Sequence, residues 1–458
     1  MNPIKLITIG FATLALVLTL TISDCKRAFR YGLGIIDFGP YIRTADRLRD
    51  KETLYVVNKD HMYTSEQFLY PPQMAAAIKL IPKMPVSKLI QGWTYANLFI
   101  LTLCIALYLY TQRLSPLKDM YLVALITIVG FVNHPTIMEL SFANVDLWIL
   151  LAFISTLAIT LKAKQTGNEK LNYWGSLLIA CAASIKTWGL GLAAYMIMQK
   201  SYKAAVGAGL IFAAMLTVSF SILGLDEFEY FCQIQKLYAY QPLINSNSLY
   251  PIAKLLSGTN YAEYQEPMML FAGADKILPA VAIALGVLIV SVLAVAGYRL
   301  NRCASTGDSA QYRMQSTLVW GLCLLTFILV YPVCHQYYYV FAIPTVWNLI
   351  IYADPQRRLG RMVEEDWKGL SMWFCAIAGY LLLFNNSPGL LPQVDAKNAQ
   401  VTWLYASTLI GGLVLWSGTA IALFAPEARA ESIYDFAPDN FDNKDAENIN
   451  EIEKSRLS

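Results

Sequence analysis

Apolar residues in this chain come in long runs, not in the alternating or one-sided stripes of a soluble fold. Eleven runs can be marked, at 4-23, 88-110, 120-133, 145-162, 173-198, 204-224, 278-298, 315-331, 336-352, 370-386 and 402-424. Most are long enough as helices to cross a hydrocarbon core of about 30 Å. Five of the short connections carry the Lys and Arg excess of cytoplasmic loops: 111-119 (Arg113, Lys118), 162-172 (Lys162, Lys164, Lys170), 199-203 (Lys200, Lys203), 299-314 (Arg299, Arg302, Arg313) and 353-369 (Arg357, Arg358, Arg361, Lys368). The run 173-198 has such a loop at both ends, so it enters and leaves on one side. It is too short for two full crossings of about 20 residues each. The pattern therefore predicts a helical hairpin of two short halves with its tip at Ser184-Ile185-Lys186-Thr187, the alternative being one ordinary span.

With the hairpin, the chain is an all-α integral membrane bundle of about twelve passages with both termini cytoplasmic. The opposite side collects 24-87, 133-144, the 184-188 tip, 225-277, 332-335 and 387-401. The first run, 4-23, lacks a small-x-small cleavage site and is expected to be an uncleaved span. Within 24-87, Tyr41, Ala45 and Leu48 recur at helical spacing after Pro40, with charged residues on the other faces, which predicts an interfacial helix; a second short helix is expected over Gln73 to Leu80. Two large outer loops, 24-87 and 225-277, thus belong to one membrane domain, 1-424. The remainder, 425-458, has nine acidic residues against four basic ones from Pro426 onward and no apolar period, and is expected to be a disordered cytoplasmic tail.

Composition sharpens this picture. The chain is 56% hydrophobic and 15% charged, against roughly 25% charged in an ordinary soluble domain, and its mean hydropathy is +0.44. A net charge of +3, from 35 basic residues interspersed with 32 acidic ones, gives no basic stripe and excludes nucleic acid as a partner. Eight cysteines without paired spacing predict neither a disulfide framework nor a zinc site. There is no Gly-rich phosphate loop, Ser/His/Asp order, Asp-x-Asp pair or Cys/His cluster, so nucleotide-kinase, hydrolase and metal-dependent nucleotide-sugar readings have no support and no cofactor is expected.

Polar residues at the membrane edge are costly and therefore are candidates for function. Asp37, flanked by apolar residues in Gly34-Ile35-Ile36-Asp37-Phe38-Gly39-Pro40, is either an N-cap for the following helix or a partly desolvated general base. Lys186 lies in Ala-Ala-Ser-Ile-Lys-Thr-Trp-Gly with no acidic residue nearby in sequence. It is either a snorkelling side chain or a fixed ammonium for an anionic substrate, phosphate above all. His335, between Pro332 and a run of tyrosines, fits an aromatic belt or the same site. Asn245-Ser246-Asn247-Ser248 offers neutral donors and acceptors suited to sugar hydroxyls, or is an ordinary polar loop, and Glu139 to Asp146 with Asn144 reads as a short acidic outer loop.

The ordered set of Asp37, Phe38, Tyr41 and Arg43, then Leu54-Tyr55, Tyr70-Pro71-Pro72, Asn144, Ala182 to Thr187, Asn245 or Asn247 to Tyr250, and Pro332 with His335 resembles glycosyltransferase family 87 over roughly residues 30 to 350. These are multi-spanning C-type enzymes that use polyprenyl-phosphate sugars and are best known as mannosyltransferases. The resemblance implies that Asp37 is the catalytic base and that Lys186 contacts the donor phosphate, with His335 or Arg43 assisting. Tyr41, Tyr70, Asn144, Asn245, Asn247 and Ser248 would then contact sugar or acceptor. It further implies inverting transfer of a sugar, mannose as the first guess, from the lipid donor to a lipid-linked or cell-envelope glycan. The site would face the noncytoplasmic side of a bacterial inner (plasma) membrane. Two departures concern the sugar and the acceptor. Ser141-Phe142-Ala143-Asn144 keeps only the Asn of a Gly-Gln-x-Asn element, and one His335 followed by Gln336 stands where paired histidines and a Trp are common. The rival reading from another class is a transporter or flippase of a lipid-linked sugar, which would show repeated halves. No such repeat is evident here.

Overall fold

The computed structural model describes residues 19, 34–56, 68–116, 118–240, 248–256, 276–304, 309–331, 334, 336–354, 367–384 and 399–424. Those residues are helical or irregular, with no strand among them. The helices are α1 (Gly34–Asp50), α2 (Pro72–Lys79), α3 (Val86–Thr111), α4 (Met120–Phe131), α5 (His134–Ser141), α6 (Asp146–Thr166), α7 (Asn172–Ile185), α8 (Ala193–Met198), α9 (Tyr202–Leu223), α10 (Leu225–Tyr240), α11 (Leu249–Leu256), α12 (Ile277–Cys303), α13 (Ser309–Val330), α14 (Ile343–Ala353), α15 (Trp367–Phe384) and α16 (Ala399–Phe424). Short 3-10 turns at Thr187–Leu192 and Gln336–Ala342 lead into α8 and α14.

Six of these helices, α3, α6, α9, α12 and most of α13 and α16, are long and apolar enough to cross a membrane, and α4 with α5 forms a seventh candidate bent by 52°. The chain is an integral membrane protein. The runs at 173-198, 336-352 and 370-386 form shorter apolar helices, and the run at 4-23 falls outside the described residues.

Local chemistry sets the helix ends. Pro72 opens α2, where a missing N–H costs nothing. Asn133 caps α5 by accepting from the Thr136 N–H at 2.8 Å. Gly167 ends α6 in the left-handed conformation at φ 65°. Helix α1 starts six residues before Pro40, so Asp37 is its fourth residue and not the cap ahead of it.

Packing is densest between α15 and α16, where α7 meets α9 and α6, between α14 and α15, between α3 and α6, and where α13 meets α12 and α16. The main core runs through α3, α6, α13 and α14, around Trp320, Trp347 and Tyr339. The outward faces of α9 and α12 carry Leu210, Ile222, Ile283 and Val287, each more than half exposed, as a lipid-facing helix requires. A second, aromatic cluster joins α1, α2 and the segments at 54–55 and 68–70 to α9 and α10.

The segment 172–201 doubles back. Asn172 Nδ2 donates to Ser201 Oγ at 3.1 Å, and Gly175 near the start of α7 lies beside Met196 near the end of α8. The reversal is made at Lys186, whose extended backbone (φ −141°, ψ 125°) separates α7 from the 3-10 turn. Gly189 permits it, because a Cβ there would sit 2.7 Å from the Ala182 carbonyl carbon and 2.8 Å from the Ala183 nitrogen.

Candidate active site

Lys186 is 1% exposed, so its charge has to be matched by neighbouring side chains and not by water. Its ammonium lies 2.8 Å from Asp146 Oδ1 and donates to Asp146 Oδ2 at 2.9 Å and to Asn144 Oδ1 at 3.1 Å. Tyr338 presents its ring 4.8 Å away and Tyr70 its ring at 5.4 Å, so the cation sits between two aromatic faces. Asp146 is fully buried, and Glu139, also fully buried, lies near it. A second carboxyl therefore stands near the Lys186–Asp146 pair, and the segment from Glu139 to Asp146 is not the acidic outer loop expected from sequence. Glu139 belongs to α5 and Asp146 opens α6.

The turn between α5 and α6 aims these groups. The Asn144 N–H donates to the Glu139 carbonyl at 3.0 Å and the Ala143 N–H to the Leu140 carbonyl at 3.4 Å, the paired bonds of a Schellman termination. Its left-handed position is held by Ala143 at φ 52°, where glycine is usual. The Asn144 carbonyl then accepts from Asn97 Nδ2 at 2.6 Å and Trp93 Nε1 at 3.2 Å, and its Oδ1 accepts from the Val145 N–H at 2.8 Å. Because both partners of Oδ1 are donors, the orientation of the amide is fixed by its contacts. Asn144 Nδ2 is left buried with no hydrogen-bond partner, as is Trp188 Nε1, two residues after Lys186. These two N–H groups are unsatisfied donors, whereas the ammonium is already engaged by Asp146 and Asn144.

Tyr70 is held from several directions. Its ring stacks on Tyr41 of α1 at 5.0 Å with an interplanar angle of 2°, and its carbonyl accepts from the Tyr55 hydroxyl at 2.8 Å. Burial raises the Tyr55 phenol pKa, with Glu227 adding to the shift, so it remains a donor. Glu227 of α10 clamps the same segment by accepting from the Leu54 N–H at 3.0 Å and the Tyr55 N–H at 3.3 Å. Gln235 Nε2 donates to the Leu69 carbonyl at 2.5 Å. A stacked row of Phe38, Trp93 and Trp148, with successive centroids 4.7 and 5.3 Å apart, ties α1 to α3 and α6. The middle of α1 is thus connected to Lys186 through Tyr41 and Tyr70.

Of the residues singled out from sequence, the structure joins Tyr41, Tyr70, Asn144 and Lys186. Asp37 lies one turn before Tyr41 in α1, and Arg43 is half-buried two residues beyond Tyr41. Ser248 is buried immediately before α11. Asn245, Asn247 and His335 lie outside the described residues. Asp146 and Glu139, read from sequence only as the ends of an acidic loop, belong to the site, as do Tyr338 and Trp188, which the sequence did not single out. A carboxylate opening an apolar helix and a buried lysine in another were the available signals. Among the described residues, no group of three or more His, Cys, Asp or Glu side chains is placed to hold a metal ion.

The interior of this all-helical membrane bundle thus holds a buried Lys186–Asp146 pair at a helix break, ringed by aromatic and amide groups. The family model for glycosyltransferase family 87 matches residues 68–332, which include Tyr70, Asn144, Asp146 and Lys186. The chain belongs to glycosyltransferase family 87, and it is a membrane glycosyltransferase. Neither a curated protein nor a solved structure matches it.

Proposed function

We propose that this protein is an inverting transferase that moves a sugar, mannose as the first choice, from a polyprenyl-phosphate donor to a lipid-linked or cell-envelope glycan. The observation that carries this reading is the Lys186 ammonium, buried between Tyr70 and Tyr338 beside the unpartnered Asn144 Nδ2. As the bond between the anomeric carbon and the phosphate oxygen breaks, negative charge grows on the departing phosphate and positive charge on the sugar ring. Lys186, with Asn144 Nδ2 and Trp188 Nε1, stabilises the first, more strongly as the charge develops. Asp37 takes the proton of the acceptor hydroxyl as that oxygen attacks the opposite face of the sugar, so a β-linked donor gives an α-linked product. His335 or Arg43 assists at the phosphate. Tyr41, Tyr70, Asn245, Asn247 and Ser248 contact the sugar or acceptor. The site faces the noncytoplasmic side, where the loops rich in Lys and Arg do not lie.

Asp146 supports a second reading. The Lys186–Asp146 pair neutralises part of the charge a phosphate would meet, and it also pins the helix break to the start of α6. In that reading the pair is structural and the phosphate is bound elsewhere.

The deciding experiment is transfer of labelled mannose from synthetic polyprenyl-phosphate-mannose to membrane lipid extract by purified protein. Wild type is expected to transfer. Asp37→Asn should lose about 10²-fold or more in kcat, the usual range for a general base. Lys186→Ala should lose both donor affinity and kcat while remaining folded. Donor binding without turnover in wild type and both variants, with any acceptor fraction, overturns the enzyme reading in favour of a flippase. Full activity in folded Lys186→Ala selects the structural reading of the pair.

A further inference from the structure

At the other end of α7, about 20 Å from Lys186 by the rise of a 14-residue helix, a cavity of about 800 Å³ opens between α6, α7, α9, α12 and α13. Its rim carries Lys164, Lys170, Lys200 and Lys203, all exposed, against a single carboxylate, Glu169, among the described residues. Loop lysines that only set topology need no common cavity, yet these converge from two separate connections. Lys200 does so through a strained backbone, at φ 59° in the left-handed region at the end of α8.

The floor is polar and already organised. Tyr312 donates to Gln199 Oε1 at 3.2 Å, Gln199 Nε2 donates to Ser316 Oγ at 2.8 Å, and Ser316 Oγ lies 2.7 Å from the Tyr195 hydroxyl. Asn172 Oδ1 is buried there without a hydrogen-bond partner, an acceptor awaiting a donor. Around this level Tyr173, Trp174, Tyr202 and Tyr298 are 52%, 62%, 57% and 65% exposed, the rings expected at a membrane–water boundary.

We propose that this cleft binds the phosphodiester headgroup of an anionic glycerophospholipid. The lysines would meet the phosphate, and a headgroup hydroxyl would donate to Asn172 Oδ1. Basic pockets between membrane helices commonly recognise such headgroups. The site is separate from the one proposed for sugar transfer, and its test does not depend on activity.

Delipidated full-length protein in detergent is titrated with phosphatidylglycerol or with phosphatidylcholine, and bound lipid is counted by native mass spectrometry. Wild type is expected to prefer phosphatidylglycerol by about tenfold or more, with the preference falling as salt rises. The combined variant Lys164→Gln, Lys170→Gln, Lys200→Gln, Lys203→Gln should lose it, and the same four positions changed to Arg should keep it. Each lysine is expected to contribute up to about fivefold. Equal binding of the two lipids by wild type overturns the proposal without any variant having to fold. A preference that survives the four Gln substitutions places the lipid elsewhere, and displacement of phosphatidylglycerol by millimolar inorganic phosphate assigns the cleft to a free anion.

Discussion

Lys186 and Asp146 are both about 1% exposed or less, so each depends on the other's opposite charge in an apolar bundle. Asp146→Ala removes the ion-pair partner of a buried ammonium and is expected to cost about 3–5 kcal/mol, read as a large fall in thermal midpoint. Replacing the pair together, Lys186→Met with Asp146→Leu, should recover most of that stability while leaving transfer abolished. Were the double substitution as unstable as the single one, the pair would not be the source of the loss. Ala143 poses a different problem, since its φ of 52° is poorly suited to a residue with a Cβ. Ala143→Gly is expected to change stability by no more than about 1 kcal/mol, because relief of strain offsets the lost methyl contact and the added chain entropy. Ala143→Val should cost about 2 kcal/mol or more, as β-branched residues avoid this region. Similar melting of all three proteins would show that the turn is not as tight as the hydrogen bonds imply.

Among the elements, the hairpin of α7 with the turn at Thr187–Leu192 depends on one close approach. Gly189 faces the backbone of Ala182 and Ala183, which cannot rotate aside as a side chain would. Gly189→Ala should therefore open the reversal, displace Lys186 and abolish transfer, with a fall in thermal midpoint. Gly92, in the interior of α3, has open space where a Cβ would lie, with nothing within 4 Å, and serves as the contrast. Gly92→Ala is expected to raise stability by about 0.5–1 kcal/mol, the helix-propensity gain. Loss of function in Gly92→Ala as severe as in Gly189→Ala would count against the packing explanation.

For the molecule as a whole, the doubling back of 172–201 places the connections 167–171 and 199–203 side by side, whichever leaflet they face. Single cysteines introduced at Asn168 and Lys203, in protein with Cys25, Cys181 and Cys232 replaced by Ser, should react with an impermeant thiol reagent from the same side of sealed vesicles. Labelling from opposite sides would mean that 173-198 crosses once and that the reversal is not kept in the bilayer. The same arrangement separates two ends of the bundle, one built around Lys186 and one around the lysine-rimmed cleft, with α7 spanning the distance between them.

The class of architecture is written in the order of residues alone, because a helix that buries its backbone hydrogen bonds in lipid requires a long apolar run, and such runs are read directly. So is the break at Lys186, where a charge interrupts apolar residues, and the short helix after Tyr70-Pro71-Pro72, whose observed span Pro72–Lys79 is within a residue of the expected one. Tyr41, Tyr70, Asn144 and Lys186 were legible as an ordered set, but not as neighbours. Which groups share the buried charge was settled only by the docking of the helices. Asp146 is 40 positions from Lys186, and no local period links a carboxylate at the start of α6 to an ammonium at the end of α7. A local left-handed turn at Ala143 aims Asn144 and Asp146, while hairpin packing and a stacked tyrosine pair bring them together, and these two are contacts between distant segments whose energy exists only once the helices have docked.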